Sequence, residues 1–296
     1  MRILITGGSG LLGQYVNEQI AKEHDLLTLY NSVPANTRLF NSASVDITNF
    51  AKLEILFEQF NPDVVIHLAA VASVKEAHGG NKNLIYNINV NTTENIARLC
   101  ERYRAKMIYT STDLVYAGYR GKFLKEESKK DPRSLYAETK LIGEEKIKSV
   151  FNNYIILRTA LLFGFGKNGR TNFFFNTYQK FLQIESVKLF YDQYRTPLEL
   201  SDAARIISEL IRTDVAGITM NFGGVERLSR VEMAEILCEE ANLSKSSIDS
   251  VSMHDLPGMP DVQDVSLDIS LMESLGLSPR MFRDSVRTMI NSYQNT

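Results

Sequence analysis

The chain of 296 residues contains no tryptophan, two cysteines and four histidines. Cys100 and Cys238 stand far apart in helical-looking segments, so no disulfide framework organises the fold. Two buried thiols in a reduced, cytoplasmic setting are expected instead. Four scattered histidines without a cysteine cluster offer no metal-ligand spacing, and no metal is expected. Neither sign of charge dominates: 33 Lys and Arg face 35 Asp and Glu, for a net charge of −2. That balance gives no reason to expect nucleic acid or an anionic membrane as partner. No apolar stretch approaches the ~20 residues that cross a bilayer. The first strand-like run starts at residue 2, which leaves no room for a cleavable signal peptide. Internal repeats and low-complexity linkers are also missing.

What remains is a regular alternation. RILIT (2–6), DLLTLY (25–30), DVVIHLA (63–69), KMIYTS (106–111) and YIILRT (154–159) read as buried strands. Helical patterns near 11–22, 49–59, 83–103 and 136–150 separate them. Such alternation predicts βαβ units and a parallel sheet covered on both faces. The later half is less regular, with helices near 171–183, 201–212 and 229–241 among short strands such as VKLF (187–190) and ITMNF (218–222). The expected fold is α/β: a Rossmann-type doubly wound parallel sheet with a smaller C-terminal substrate lobe. Its dinucleotide-binding domain is expected to take 1–160 and 196–222, and the substrate-binding lobe 161–195 and 223–296.

ITGGSGLLG follows the first strand and opens the first helix. Gly7, Gly10 and Gly13 allow a tight turn, close backbone approach to a pyrophosphate and close helix–sheet packing. The helix start then presents free N–H groups to phosphates. A purely structural turn could use the same glycines, but the strand before and helix after are the context that dinucleotide binding requires. An acid at the end of the second strand would bind the ribose 2′-hydroxyl of NAD. Here Tyr30, Asn31 and Ser32 stand there, with Arg38 beyond. The missing carboxylate leans toward NADP(H), with NAD(H) still admitted; Arg38 is either a phosphate contact or a solvated loop charge.

SLYAETKLIGEE (134–145) holds the only Tyr-x-x-x-Lys of the chain, Tyr136 and Lys140, which share one face of a helix. Alone, the pair could be a surface contact. Its company decides otherwise. The glycine turn, VDI (45–47), HLAA (67–70), NINVNTT (87–93), STDLVY (111–116) and YAETK (136–140) occur in the order found in the extended short-chain dehydrogenase/reductase family. The chain resembles that family over most of its length. The resemblance implies an NAD(P)-dependent oxidoreductase in which Thr112, Tyr136 and Lys140 are catalytic, Ser111 being the alternative to Thr112. It also implies cofactor contacts at Gly7, Ser9, Gly10, Leu11, Leu12, Gly13, Asn31, Ser32, Arg38, Asp46, Ile47, Leu68, Ala69, Ala70, Asn89, Thr110, Tyr136 and Lys140. Hydride transfer to a carbonyl leaves an oxyanion needing a proton, and a phenol of pKa near ~10 is a poor donor at neutral pH. The neighbouring ammonium of Lys140 and the positive charge of the nicotinamide are expected to lower that pKa together.

Within the family, STDLVYAG, LRTALLFG (157–164), FYDQYRTPLELSDAARII (190–207) and SLDISLMESLGL (266–277) resemble dTDP-4-dehydrorhamnose reductases. A nucleotide-sugar substrate contacting Thr112, Asp192, Gln193 and Arg195 is implied, the guanidinium fork of Arg195 suiting a diphosphate. Members are often dimers, so a homodimer is admitted. Three positions depart from the pattern: Leu161 for a tryptophan, Leu114 for a tyrosine and Lys75 for an aspartate. They leave the sugar open without touching the core reaction. Leu114 also displaces the glutamate that 4,6-dehydratases use for acid–base chemistry. Epimerases share the Tyr/Lys pair and remain an alternative. So does a cofactor-binding regulatory role like that of the methionine adenosyltransferase β subunit, which also has a leucine-type segment. Arg158 reads equally as an internal ion pair or a ligand contact, and Phe173–Phe175 as packing.

Overall fold

A computed structural model describes residues 1–71, 81–119, 121–255 and 262–294. Lys75 lies outside the described residues. In chain order the elements are β1 (Arg2–Thr6), α1 (Leu11–Ile20), β2 (Asp25–Tyr30), β3 (Ser42–Ser44), α2 (Phe50–Phe60), β4 (Val64–His67), α3 (Lys82–Tyr86), α4 (Thr92–Tyr103) and β5 (Lys106–Thr112). There follow α5 (Leu135–Val150), β6 (Tyr154–Thr159), β7 (Leu162–Phe163), α6 (Phe173–Leu182), β8 (Val187–Phe190), β9 (Tyr194–Arg195), β10 (Leu198–Glu199) and α7 (Leu200–Ile211). The chain closes with β11 (Ile218–Phe222), β12 (Leu228–Ser229), α8 (Arg230–Ala241), β13 (Ile248–Val251), α9 (Ser270–Ser274) and α10 (Phe282–Gln294).

Seven strands make one parallel sheet in the order β11-β6-β5-β4-β1-β2-β3. The Rossmann-type α/β expectation therefore stands. Its central strands carry near-continuous apolar runs because both faces are covered. On one face Ile3, Ile5, Ile66 and Ile155 pack with Val16 and Ile20 of α1, Ile207 and Leu210 of α7, and the returning segment around Val265 and Leu267. On the other, Leu4, Val65, Met107 and Ile156 meet Leu53 and Phe57 of α2, Ile96 and Cys100 of α4, and Ile147 of α5. A third cluster, Phe163, Phe174, Tyr178, Phe181, Leu237 and Phe282, holds β7, α6, α8 and α10 together. Phe174 is core and Phe173 is exposed, so the phenylalanine run divides between packing and surface. Both cysteines are free and buried. Among the described residues no helix is long and apolar enough to cross a membrane.

Strand order reverses between β1 and β4, so the connections leaving their carboxyl ends run in opposite directions. Open α/β sheets bind ligands at that point. His67 pins the two strands just below it, with Nδ1 2.6 Å from Thr6 Oγ1 and Nε2 3.0 Å from Thr93 Oγ1. Burial first, then Lys140, pushes its pKa down to about 3, so it serves as a neutral hydrogen-bonding bracket. Between α3 and α4, Asn87–Asn91 form a π-turn. It aims the buried Asn89 side chain at the Val71 backbone and at Thr139 Oγ1, joining the turn after β4 to α5.

A buried ion pair ties β5, α5 and β6. Arg158 Nη2 and Nε donate to Glu144 at 2.8 and 3.1 Å, and Ser111 Oγ donates to the same carboxylate at 2.6 Å. The Arg158 Nη1 donates to Tyr116 Oη and the Glu126 carbonyl, so both charges are satisfied. Of the two readings of Arg158, the ion pair is what the structure shows. Removing one partner strands a buried charge. Glu144→Ala is therefore expected to cost about 3–5 kcal/mol in urea unfolding, while a paired replacement of Glu144 and Arg158 by Met costs distinctly less than the single change. Equal losses for the two variants would mean that the pair does not act as a unit.

Candidate active site

Two connected clefts open at the switch point, of about 620 and 680 Å³. They share Gly7, Gly10, Leu11, Leu68 and Ala70. Gly7 holds the turn at φ +73°, and a Cβ there would sit 2.7 Å from Ala69 N. At Gly13 a Cβ would meet Gly7 O at 2.3 Å, so only glycine lets α1 lie this close to the turn. The residue before α1, Gly10, has no capping side chain, which leaves the first-turn N–H groups facing the cleft. A narrow turn, side-chain-free walls and an uncapped helix start fit a dinucleotide pyrophosphate. Beyond it, Ser9, Tyr30, Asn31, Asp46, Ile47 and Ala69 line one cleft, while Leu12, Gly13 and Thr110 line the other. Ser32 and Arg38 line neither; both are exposed, Arg38 on a 3₁₀ turn. Asn89 reaches the site indirectly, through Val71 and Thr139.

The opposite cleft runs from the carboxyl end of β5 to α5. Ser134 caps α5 by accepting from Ala137 N, which places Tyr136 in the first turn and Lys140 one turn later. Thr112 ends β5; its hydroxyl donates to Asp113 Oδ1 at 3.2 Å and accepts from Leu114 N at 3.3 Å, and its interaction with the Tyr136 phenol opposes the rise in that group's pKa. Thr112 and Tyr136 both line the cleft. Ser111 also lines it but spends its hydroxyl on Glu144, whereas Thr112 is the hydroxyl that acts on Tyr136. Lys140 is buried, with Nζ 4.0 Å from the centroid of the Tyr109 ring.

One electrostatic expectation is overturned. Burial first and Asp113 second push Tyr136 up to about 12, with the Thr112 bond opposing them. Lys140 therefore does not lower the phenol's pKa here. Burial instead pushes Lys140 itself down to about 7 against the opposing pull of Glu144. The protein holds a phenol that keeps its proton beside an amine poised to lose one.

Four of the side chains expected near the substrate separate into wall and scaffold. Thr112 and Arg195 line the cleft; Asp192 and Gln193 do not. Asp192 accepts from Ser252 Oγ at 2.5 Å and Met253 N at 2.9 Å, tying the segment after β8 to the one after β13, and Gln193 is buried and accepts from Arg230. Arg195 anchors its own fork on the carbonyls of Tyr194 and Val262. Sequence reasoning missed Arg230, which lines the same cleft. Its Nε donates to Gln193 Oε1 at 3.2 Å, its guanidinium lies 5.0 Å from the Phe173 ring centroid, and its buried Nη1 finds no partner among the described residues. Burial, then Arg195, pushes Arg230 down to about 9. Burial likewise raises Asp113 to about 6, although Arg195, Thr112 and Arg230 pull it down. Two crowded guanidinium groups with a spare donor suit an anionic ligand.

Because the folded pKa of Lys140 lies below its ordinary value of 10.5, burial of the ammonium costs stability most below about pH 7. That cost fades as pH rises through the window to 10.5. Lys140→Met should therefore melt above wild type at pH 6.5, with the gap closing by pH 10. Thermal melts at several pH values check this, and a gap that widens with pH would contradict it.

The whole chain, residues 1–295, matches the family model described as RmlD substrate binding domain. A dTDP-4-dehydrorhamnose reductase of Mycobacterium tuberculosis is 28% identical over 100% of this chain and 94% of that protein. The methionine adenosyltransferase 2 subunit beta of Xenopus laevis is 26% identical over 97% of this chain and 86% of that protein. Among solved structures, dTDP-4-dehydrorhamnose reductase from Bacillus anthracis in complex with NADP superposes with a TM-score of 0.85 at 25% identity, covering 100% and 99% of the two chains. With the glycine cradle, Thr112 and Tyr136 on one cleft and the arginine wall in place, the chain belongs to the RmlD substrate-binding-domain family.

Proposed function

We propose that the chain is an NADPH-preferring reductase acting on the C4 carbonyl of a nucleotide-linked 4-keto-6-deoxysugar. The observation that carries this reading is the convergence of the Thr112 and Tyr136 hydroxyls on a cleft bounded by a glycine cradle at one end and Arg195 and Arg230 at the other. A dihydronicotinamide bound along that cradle would supply the hydride. Thr112 holds the carbonyl oxygen, and Tyr136 gives its proton to the oxyanion as charge develops. A phenol raised to about 12 is fully protonated at neutral pH, so the donor is loaded before reaction. Lys140 sits one turn away, placed to bind the cofactor ribose.

The two guanidinium groups suit the substrate diphosphate, and half-buried Leu161 lines the cleft wall as an apolar surface for the deoxysugar. NADPH is favoured because no carboxylate stands at Tyr30–Ser32 to repel a 2′-phosphate. The Bacillus anthracis relative with NADP bound agrees with that preference. On this reading residues 1–160 and 196–222 bind the dinucleotide, and 161–195 with 223–296 bind the sugar nucleotide.

A second reading, a cofactor-binding regulatory subunit, draws on the methionine adenosyltransferase subunit that matches nearly the full chain. Turnover separates the two. The wild-type protein should oxidise NADPH with at least one dTDP-, GDP- or UDP-linked 4-keto sugar. Tyr136→Phe should then lose about 10²- to 10⁴-fold in kcat while binding NADPH as wild type does. Silence across the sugar panel together with a stoichiometric co-purifying enzyme would favour the regulatory reading.

A further inference from the structure

Between β7 and α6 the chain makes a tight hairpin, Lys167-Asn168-Gly169-Arg170. Asn168 and Gly169 take φ of 47° and 76°, the left-handed pair that a two-residue type I′ turn requires. Lys167 and Arg170 close it with reciprocal backbone bonds of 3.0 and 2.9 Å. The tip is fastened to α1. Gln14 Nε2 donates to Lys167 O at 3.2 Å, and Asn168 Nδ2 donates to Gln14 Oε1 at 2.7 Å. Lys167 Nζ pairs with Glu18 at 2.6 Å and lies 4.1 Å from the Tyr15 ring centroid, while Tyr15 Oη donates to Phe165 O at 2.9 Å. The hairpin is thus strapped to the helix whose start faces the pyrophosphate site.

The strap carries Arg170 into the lining of the adenosine-side cleft, with Ser9, Tyr30, Asn31 and Asp46. Lys167 spends its charge on Glu18. Among the described residues no carboxylate is seen paired with Arg170, which is exposed and lines that cleft, so its positive charge is available at the cleft wall. Arg38, the cation suggested by position in the sequence, lies outside the lining. We propose that Arg170 is a cofactor-phosphate residue, delivered across the cleft from the segment after β7, whose guanidinium binds a phosphoryl group of the dinucleotide. This rests on the reading of the cleft as a dinucleotide site. The shared chemistry is a phosphoryl oxygen, either of the diphosphate or of a 2′-phosphate.

The test is a binding titration of the full chain, followed by dihydronicotinamide fluorescence, with NADPH and with NADH. Arg170→Gln, an exposed substitution, should weaken NADPH by about tenfold or more, the usual worth of a charge-assisted hydrogen bond. An equal loss for NADH assigns the diphosphate; a loss confined to NADPH assigns the 2′-phosphate. Unchanged affinity for both dinucleotides overturns the proposal, as does an NADPH loss seen with Arg38→Gln but not with Arg170→Gln. Wild-type protein that binds neither dinucleotide would overturn the cofactor reading itself, whereas wild-type binding with an indifferent Arg170→Gln removes only this residue's role.

Discussion

The site depends on a buried carboxylate. Glu144 is fully enclosed on α5 and binds Arg158 from β6 and Ser111 from β5. Ser111 is the neighbour of Thr112, and Glu144 lies one helical turn beyond Lys140, so one polar junction fixes the spacing between strand and helix. The placement of Thr112 and Tyr136 on one cleft follows from that spacing. An apolar junction would pack as well, but it would let α5 slide along the sheet without penalty. Direction-specific hydrogen bonds to a buried charge forbid the slide, because displacement leaves a charge uncompensated in a low-dielectric interior.

The same physics arranges the charges around the cleft. Burial raises Tyr136 and Asp113 and lowers Lys140 and Arg230, in each case toward the neutral form. The groups are held close enough that each one's state depends on the others, with Asp113 acting on Tyr136, Arg195 and Arg230. An incoming anion or cation at this cleft therefore changes several protonation equilibria together. Lys140, resting on the Tyr109 ring rather than on a carboxylate, is the group with least to hold its proton.

The layered fold was legible because its strands are short continuous apolar runs, and because a glycine turn follows the first of them. Tyr136 and Lys140 were legible through their four-residue spacing, and Thr112 through its place at a strand end. Other positions depend on contacts that local pattern does not record. Asp192 reads as a recognition residue until its partners prove to be Ser252 and Met253, some sixty residues on. Gln193 supports Arg230, which opens a helix and looks in sequence like any first-turn cation. The direction of the Tyr136 shift was missed for a related reason. Proximity to a lysine is visible in the sequence, while depth of burial is a property of the whole packed molecule.

The type I′ turn has a chemical cost as well as a geometric use. Asparagine followed by glycine is the pair in which the side-chain amide cyclises most easily onto the next backbone nitrogen, since no side chain obstructs it. Hydrolysis of the ring leaves an acid where Asn168 was, in part with an extra backbone methylene. That acid would lose the donor now given to Gln14 Oε1 and set a negative charge two residues from Arg170. If Arg170 holds a cofactor phosphate as proposed, that new charge would oppose the same phosphate, so ageing at this turn would weaken dinucleotide binding.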